Sequence, residues 1–268
     1  MVIGSVHNDC EDIMPKREMG HKLLARLGKT KLRPGGVEGT DWLLSHVDFT
    51  TRPRVLEVAC NRGYTLMQLA KAHGLHVVGI DSDPKAIATA KEGISKEGLS
   101  DLIDVSVADA TNLPFEDGSF DVLVNEAMLT MLPDTVKKKA LVEYRRVLAP
   151  QGMVLTHDVV FWKKKPAILR LLQKVINVPA HPLTLDAWKE LFEESGLAVS
   201  DSQTGVFTLL SDEGLVRDEG KEGRDTLIDN AMADDNFGQF SEMRTFFDLA
   251  KNAPTRSEER RVGKECRS

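Results

Sequence analysis

Between residue 54 and about residue 160 the chain alternates short valine-rich apolar runs with stretches of helical periodicity. The runs cover 54–60, 76–81, 103–107, 120–124 and 153–156. They are apolar nearly throughout, as strands covered on both faces are. Helical patterns fill the gaps at 64–73, 84–97 and 134–148. Asp83 followed by Pro84 supplies a cap and a first-turn residue. Gly74 and Gly98 stand where helices stop. Alternation at these lengths restricts the chain to βαβ units with right-handed crossovers. The expected fold is therefore α/β, with a doubly wound, mostly parallel sheet.

The 268 residues, 41% hydrophobic and 28% charged, can close a full core as one large or two small domains. No apolar run approaches the length of a membrane span. Asp9, Glu11, Asp12, Lys16 and Arg17 crowd the place where a secretory leader would need an apolar stretch. The net charge of −6 disfavours a general phosphate-binding surface, so nucleic acid is not the expected partner. Cys10, Cys60 and Cys266 are too dispersed for a disulfide framework or a zinc site. They suit a reducing cytoplasm, and no metal is expected.

The flanks read as helical. Residues 1–50 form an N-terminal lid segment, with an amphipathic helix over 19–27 closed by Gly28. Next comes Leu32-Arg-Pro-Gly-Gly36, with Pro34 and Gly35 at the centre of a type II turn. Thr40 is the expected cap of a helix through Trp42 and Leu44. Residues 51–210 make the ligand-binding domain, with a sixth strand over 197–210. A lid insertion at about 161–185 carries Lys163-Lys-Lys165, a solvated charge run. It also carries a helix near 167–176; a second helix follows Thr184, and Trp162, Trp188 and Phe192 are expected in the lid core. Residues 211–255 form a C-terminal helical segment.

Doubly wound sheets bind ligands beyond the carboxyl ends of their strands. The first strand runs into Glu57-Val-Ala-Cys-Asn-Arg-Gly63, where Gly63 lets the backbone approach a ligand ahead of a helix N-terminus. The second ends in Asp81-Ser82, and an ionised carboxylate there can accept both hydroxyls of a ribose. The third ends in Ala108-Asp109-Ala110, where a carboxylate can accept from an exocyclic amine. The fourth ends in Asn125-Glu126. A single strand-terminal acid is commonly a cap; acid, glycine, acid and acid at successive strand ends form a far more specific pattern.

VLEVACNRGYT, VVGIDSDPKAI, VADATNLPFEDGSFDVLVNEAM and YRRVLAPQGMVLTHD resemble, in order and spacing, the successive motifs of class I S-adenosylmethionine-dependent methyltransferases. The resemblance covers about residues 54–158 and implies a Rossmann-like methyltransferase fold with S-adenosyl-L-methionine as cofactor. It implies that Glu57, Ala59 and Gly63 line the methionine part of the donor, with Cys60 and Asn61 of the same loop as further candidate cofactor contacts. Asp81 and Ser82 would hold the ribose, and Asp109 with Ala110 the adenine. Asn125 would face the donor sulfur. The flanking strings LRPGG and TGVFTLLSDEGLVRDEG resemble a bacterial small-molecule branch of the family. The family's first loop usually carries three alternating glycines, whereas this chain has Ala59, Asn61 and Gly63. Asn61 tolerates the left-handed conformation better than most residues. Ala59, Asn61 and Tyr64 also break the G-x-G-x-x-G pattern of a nicotinamide enzyme.

The final string RSEERRVGKECRS, residues 256–268, is similar residue for residue to the conceptual translation of a common sequencing-library adapter. It is set aside as an artefactual tail, with the native C-terminus expected to be lost. Its five basic and three acidic residues leave the remaining 255 residues at −8 with two cysteines. The family sheet closes with an antiparallel seventh strand, and after Leu210 no apolar strand is evident. That last strand is therefore expected to be missing.

Methyl transfer from a sulfonium is an in-line displacement in which the protein mainly supplies alignment. A base is required only for a protonated nucleophile. Glu126 and His157 are the candidate catalytic residues, with Asp158 behind them, and Tyr64 is a candidate for shaping the methionine pocket. No Asn-Pro-Pro-aromatic string follows strand four, where amino-methylating nucleic-acid enzymes resemble one another. The expected activity is methylation of a small-molecule acceptor beneath a helical lid. The alternative is a non-catalytic donor-binding regulatory or partner protein, motivated by the altered loop and the missing strand.

Overall fold

The valine-rich runs become five parallel strands in the computed structural model, which describes residues 17–163, 165–252 and 257–265. These are β1 (Val55–Val58), β2 (Val77–Asp81), β3 (Ile103–Val107), β4 (Phe120–Glu126) and β5 (Leu148–Phe161). They lie in the order β3-β2-β1-β4-β5. The chain winds outward in both directions from β1, so the switch point lies between β1 and β4. Glu57 is level with Gly79 on one side and Val124 on the other.

Helices α1 (Gly20–Leu27) and α2 (Gly36–Leu44) precede the sheet. Helices α3 (Tyr64–His73) and α4 (Pro84–Lys96) cover one face, where Leu66, Leu69, Ile87 and Ile94 meet Val55, Val77 and Val124. Helix α5 (Asp134–Val147) covers the other. There Tyr144 and Val147 pack against Leu56, Leu123 and Val154. The local signals operate as read: Asp83 accepts the Lys85 N–H with Pro84 in the first turn, and Gly74 ends α3 at φ 60°.

A third apolar core lies around the C-terminal end of β5. It joins α1 to α6 (Pro166–Ile176), α8 (Asp212–Met232) and α9 (Phe237–Asn252), with Val159 and Phe161 beneath. Helix α7 (Leu185–Glu194), capped by the Thr184 hydroxyl, packs Trp188 and Phe192 beside Tyr144 instead. Those two aromatics therefore belong to the sheet core rather than a lid core, and Trp162 is exposed. No helix of the described residues is long and apolar enough to cross a membrane.

Three further sequence expectations need correction. The seventh strand is present: β7 (Ser257–Glu265) runs antiparallel between β5 and β6 (Asp201–Val206), inside the string set aside as a tail. An apolar-run criterion misses such a strand, because ladder hydrogen bonds come from the backbone and are the same for any residue but proline. The turn at Pro34-Gly35 is not type II, since Gly35 takes φ −94° and ψ 6° and Gly36 carries the positive φ of 53°. Thr40 lies in the middle of α2 rather than at its cap. The start of α2 is capped from another element, the Val37 N–H donating to Asp218 of α8 at 3.1 Å.

Candidate functional site

The loop after β1 turns through left-handed conformations at Ala59, Asn61 and Gly63, with φ of 61°, 48° and 72°. These are the three positions where the resemblance would place glycine. At Ala59 and Asn61 the backbone adopts the glycine conformation without the glycine. The Asn61 N–H donates to Asp81 Oδ2 at 2.9 Å, and the Asp83 N–H to Asp81 Oδ1 at 2.9 Å. Each Asp81 oxygen keeps acceptor capacity for a second donor. Left-handed Ala59 costs about 1–2 kcal/mol, against about 0.4–1 kcal/mol for the extra unfolded-state freedom of glycine. Ala59→Gly should therefore raise stability by about 0.5–1 kcal/mol. A lowered urea midpoint would refute this.

Around this loop lies a cavity of about 780 Å³, within the size range of small-molecule sites. Of the expected cofactor contacts, Glu57, Ala59, Cys60, Asn61, Asp81, Ser82, Asp109 and Ala110 line it. Gly63 and Asn125 do not. Gly63 is buried at the start of α3. Asn125 is fully buried and donates to the Val58 carbonyl at 3.1 Å, bracing the end of β1. Tyr64 lines the cavity with the Lys31 ammonium 5.2 Å from its ring centre. Asp109 Oδ1 accepts the Thr111 N–H and hydroxyl, each at 2.8 Å.

One wall is a buried polar cluster. Glu126 lines the cavity, its side chain 5% exposed. Its Oε1 accepts from the Thr40 hydroxyl at 2.8 Å and faces His157 Nδ1 at 3.3 Å. Burial alone would push Glu126 up, but Arg33, His157 and Thr40 together hold it below the usual carboxylate range. It therefore stays ionised and is a weak proton acceptor. His157 is fully buried, with the Gly35 N–H 3.4 Å from Nε2, and does not line the cavity. Its ring supports the 33–40 segment through the Gly35 N–H and braces Glu126. Asp158 is likewise buried, accepting the Thr130 N–H at 2.8 Å.

Sequence reading missed Arg33, taking its segment only as a turn. Arg33 lines the cavity at 8% exposure, with Nη1 3.3 Å from Glu126 Oε2. Its Nε and Nη2 are buried without a hydrogen-bond partner. Glu57 Oε2, lining the same cavity, is also buried and unpartnered. A donor pair and an acceptor left open in one cavity are matched by a zwitterion. The signal was available in LRPGG, yet nothing in a sequence says that an arginine in a turn will be folded inward. Two long-range contacts fold it so. Lys29, fully buried, lies 3.4 Å from both Asp218 and Glu219. Glu219 also accepts the N–H groups of Thr30 and Lys31.

Burial, then the neighbouring Glu126 charge, pushes Glu57 up to about 8 from an ordinary 4.5. A carboxyl raised on folding favours the fold below its unfolded value, and that contribution is lost as pH rises through the folded one. Asp158, pushed up to about 6 by burial, has mostly titrated by then. The wild type should therefore lose stability between about pH 6 and 8, and Glu57→Gln should flatten that decline. Urea denaturation at half-unit pH steps checks it. Parallel curves for the two proteins would count against the assignment.

Comparison with known proteins now bears on this geometry. A family model described as a methyltransferase domain matches residues 55–152. An uncharacterized protein of Haemophilus influenzae is 51% identical over 237 residues, covering 88% of this chain and 94% of the relative. Methyltransferase GfsG of Streptomyces halstedii is 28% identical, covering 72% of each chain. Among solved structures, a Haemonchus contortus phosphoethanolamine N-methyltransferase 2 in complex with S-adenosyl-L-methionine superposes with a TM-score of 0.72 at 20% identity. The match spans 93% of this chain and 57% of that one. At that identity the likeness speaks for the fold alone.

Proposed function

Because the chain belongs to the class I S-adenosylmethionine-dependent methyltransferases, with S-adenosylmethionine as its cofactor, we propose that it methylates a small molecule. When bound, the cofactor supplies an electrophilic methyl carbon on a positively charged sulfur. The residues present fit it. Arg33 Nε and Nη2 would receive the carboxylate of its amino-acid part, and Glu57 Oε2 its ammonium. Asp81 would accept from the ribose hydroxyls, and Asp109 would lie at the adenine end. The open Arg33 and Glu57 atoms in one cavity are the observation that carries this reading.

The catalytic contribution of the protein is then alignment and exclusion of water. Helix α1 is tied to the cavity rim by Lys22, 2.7 Å from Asp83. The buried Lys29 pairs hold the 29–33 segment, and Asp218 holds the start of α2. Glu126, ionised and fixed by Thr40 and His157, orients Arg33 and would add negative potential to the cavity that receives the positively charged sulfur. A cavity roofed by helices admits a compact acceptor more readily than a polymer.

Calorimetry with S-adenosylmethionine and with its demethylated product tests donor binding. Transfer of a labelled methyl group to a panel of metabolites tests turnover. Binding with transfer supports the proposal. Binding without transfer to any acceptor favours a regulatory donor-binding protein, and no binding at all refutes both.

A further inference from the structure

An apolar annex of about 70 Å³ adjoins the donor cavity. His21, Leu32, Ala127 and Met131 line both spaces, so they form the mouth between them. The annex is walled by the lid core, including Leu172, Phe207 and Phe247. It holds no charged side chain, and its Thr130 hydroxyl already accepts the Val159 N–H at 3.2 Å. At 10–15 Å³ for each water-sized probe, the space takes a group of about five non-hydrogen atoms. Such a pocket accepts an uncharged apolar group and penalises an ion.

His21 is the titratable side chain at that mouth. It is half-buried, and its ring has no hydrogen-bond partner among the described residues. Glu126 Oε1, by contrast, is engaged by Thr40 and His157, and Asp158 by the Thr130 N–H, all three side chains buried. We propose that the annex receives the apolar part of the methyl acceptor and that His21 takes the proton from the acceptor's hydroxyl. The inference rests on the methyltransferase reading and adds the acceptor class: a compact phenol or enol. An amine would bring a cation to an uncharged pocket, and a carboxylic acid an anion. The hydroxyl oxygen's lone pair forms the new bond to the methyl carbon as the carbon–sulfur bond breaks. That bond's electron pair stays on sulfur, and the hydroxyl proton passes to a ring nitrogen of His21 and then to solvent.

Burial and the Lys22 charge lower the affinity of His21 for its proton, and Asp81, Asp83 and Glu18 only partly offset them. The free ring is therefore available as a base at neutral pH. The rate should fall on the acid side, where the ring becomes protonated.

The experiment uses the full chain at saturating labelled donor, with phenol, 2-methylphenol, 3-methylphenol, 2-naphthol, benzylamine and benzoate as probes. Methylation of the first three, with 2-naphthol, benzylamine and benzoate at least 10-fold slower, is expected. His21→Gln should lower kcat at least 100-fold while donor affinity stays within threefold, and the acid limb of the pH profile should vanish. His21→Ala should regain activity with added imidazole. Ala180→Leu, which fills the annex from a buried wall position, should raise KM for phenol at least 10-fold without altering donor affinity. Val159→Leu serves the same purpose should Ala180→Leu not fold. Donor binding with no probe methylated, or a His21→Gln enzyme with unchanged kcat and pH profile, would overturn the proposal. Failure to bind donor would instead overturn the methyltransferase reading beneath it.

Discussion

Replacing Arg33 by methionine should weaken S-adenosylmethionine binding about 100-fold. Arg33 is 8% exposed, and its Nε and Nη2 are buried with no hydrogen-bond partner. A hydrogen bond to a charged partner contributes about 1.5–3 kcal/mol, and two such bonds to one carboxylate act partly as a unit. A net loss of about 3 kcal/mol corresponds to roughly two orders of magnitude in affinity. Lysine at this position keeps the charge but not the fork, so Arg33→Lys should recover only part of the loss. The decisive control is methylthioadenosine, which lacks the amino-acid end. It should bind wild type and Arg33→Met within threefold of each other, because its contacts are proposed at Asp81 and Asp109. Equal loss for both ligands would mean that Arg33 shapes the cavity as a whole rather than holding a carboxylate.

The contrast between Asp81 and Arg33 shows which parts of such a site a sequence carries. Asp81, Ser82, Asp109 and the 57–61 loop belong to strand ends whose positions follow from local patterns, and topology alone brings them to one cavity. Arg33 and His21 arrive from outside the sheet. Their placement depends on Lys29 meeting Asp218 and Glu219, nearly two hundred residues away, and on Lys22 meeting Asp83. No local period encodes such contacts. His157 illustrates the converse error. It looks like a strand end in the sequence, yet β5 runs on to Phe161 and helix α2 lies over its ring. Asn125, one residue before the end of β4, donates to the Val58 carbonyl and so braces β1, a contact no local pattern announces. The loop glycines fall between these cases. Ala59 and Asn61 look like departures in sequence, but hydrogen bonds from Asn61 to Asp81 and from Cys60 to Ile80 over-determine the same backbone path. The donor-binding alternative drew on that loop and on a missing strand. The loop keeps its conformation, and β7 fills its slot by backbone pairing.

The support beneath Glu126 gives the other large effect. A Cβ added at Gly39 would lie 2.4 Å from Cε1 and 2.8 Å from Nδ1 of His157, a buried ring rather than a flexible chain end. Gly39→Ala must therefore lift α2 or displace the imidazole from Glu126. Overpacking costs about 1–3 kcal/mol and a broken buried hydrogen bond about as much again, so a loss of about 3 kcal/mol is expected. Against a typical stability of roughly 5–15 kcal/mol, that shift is readily seen in a urea midpoint. Donor affinity should fall as well, because Glu126 loses the contact that fixes it beside Arg33. His157→Ala leaves space for the new methyl group. Combining it with Gly39→Ala should therefore cost at least about 1 kcal/mol less than the two separate losses together. Additive losses would place the clash elsewhere and remove the reason for glycine at this position. Recovery of stability without recovery of donor affinity would separate the two roles of His157, leaving its hold on Glu126 as what the cavity requires.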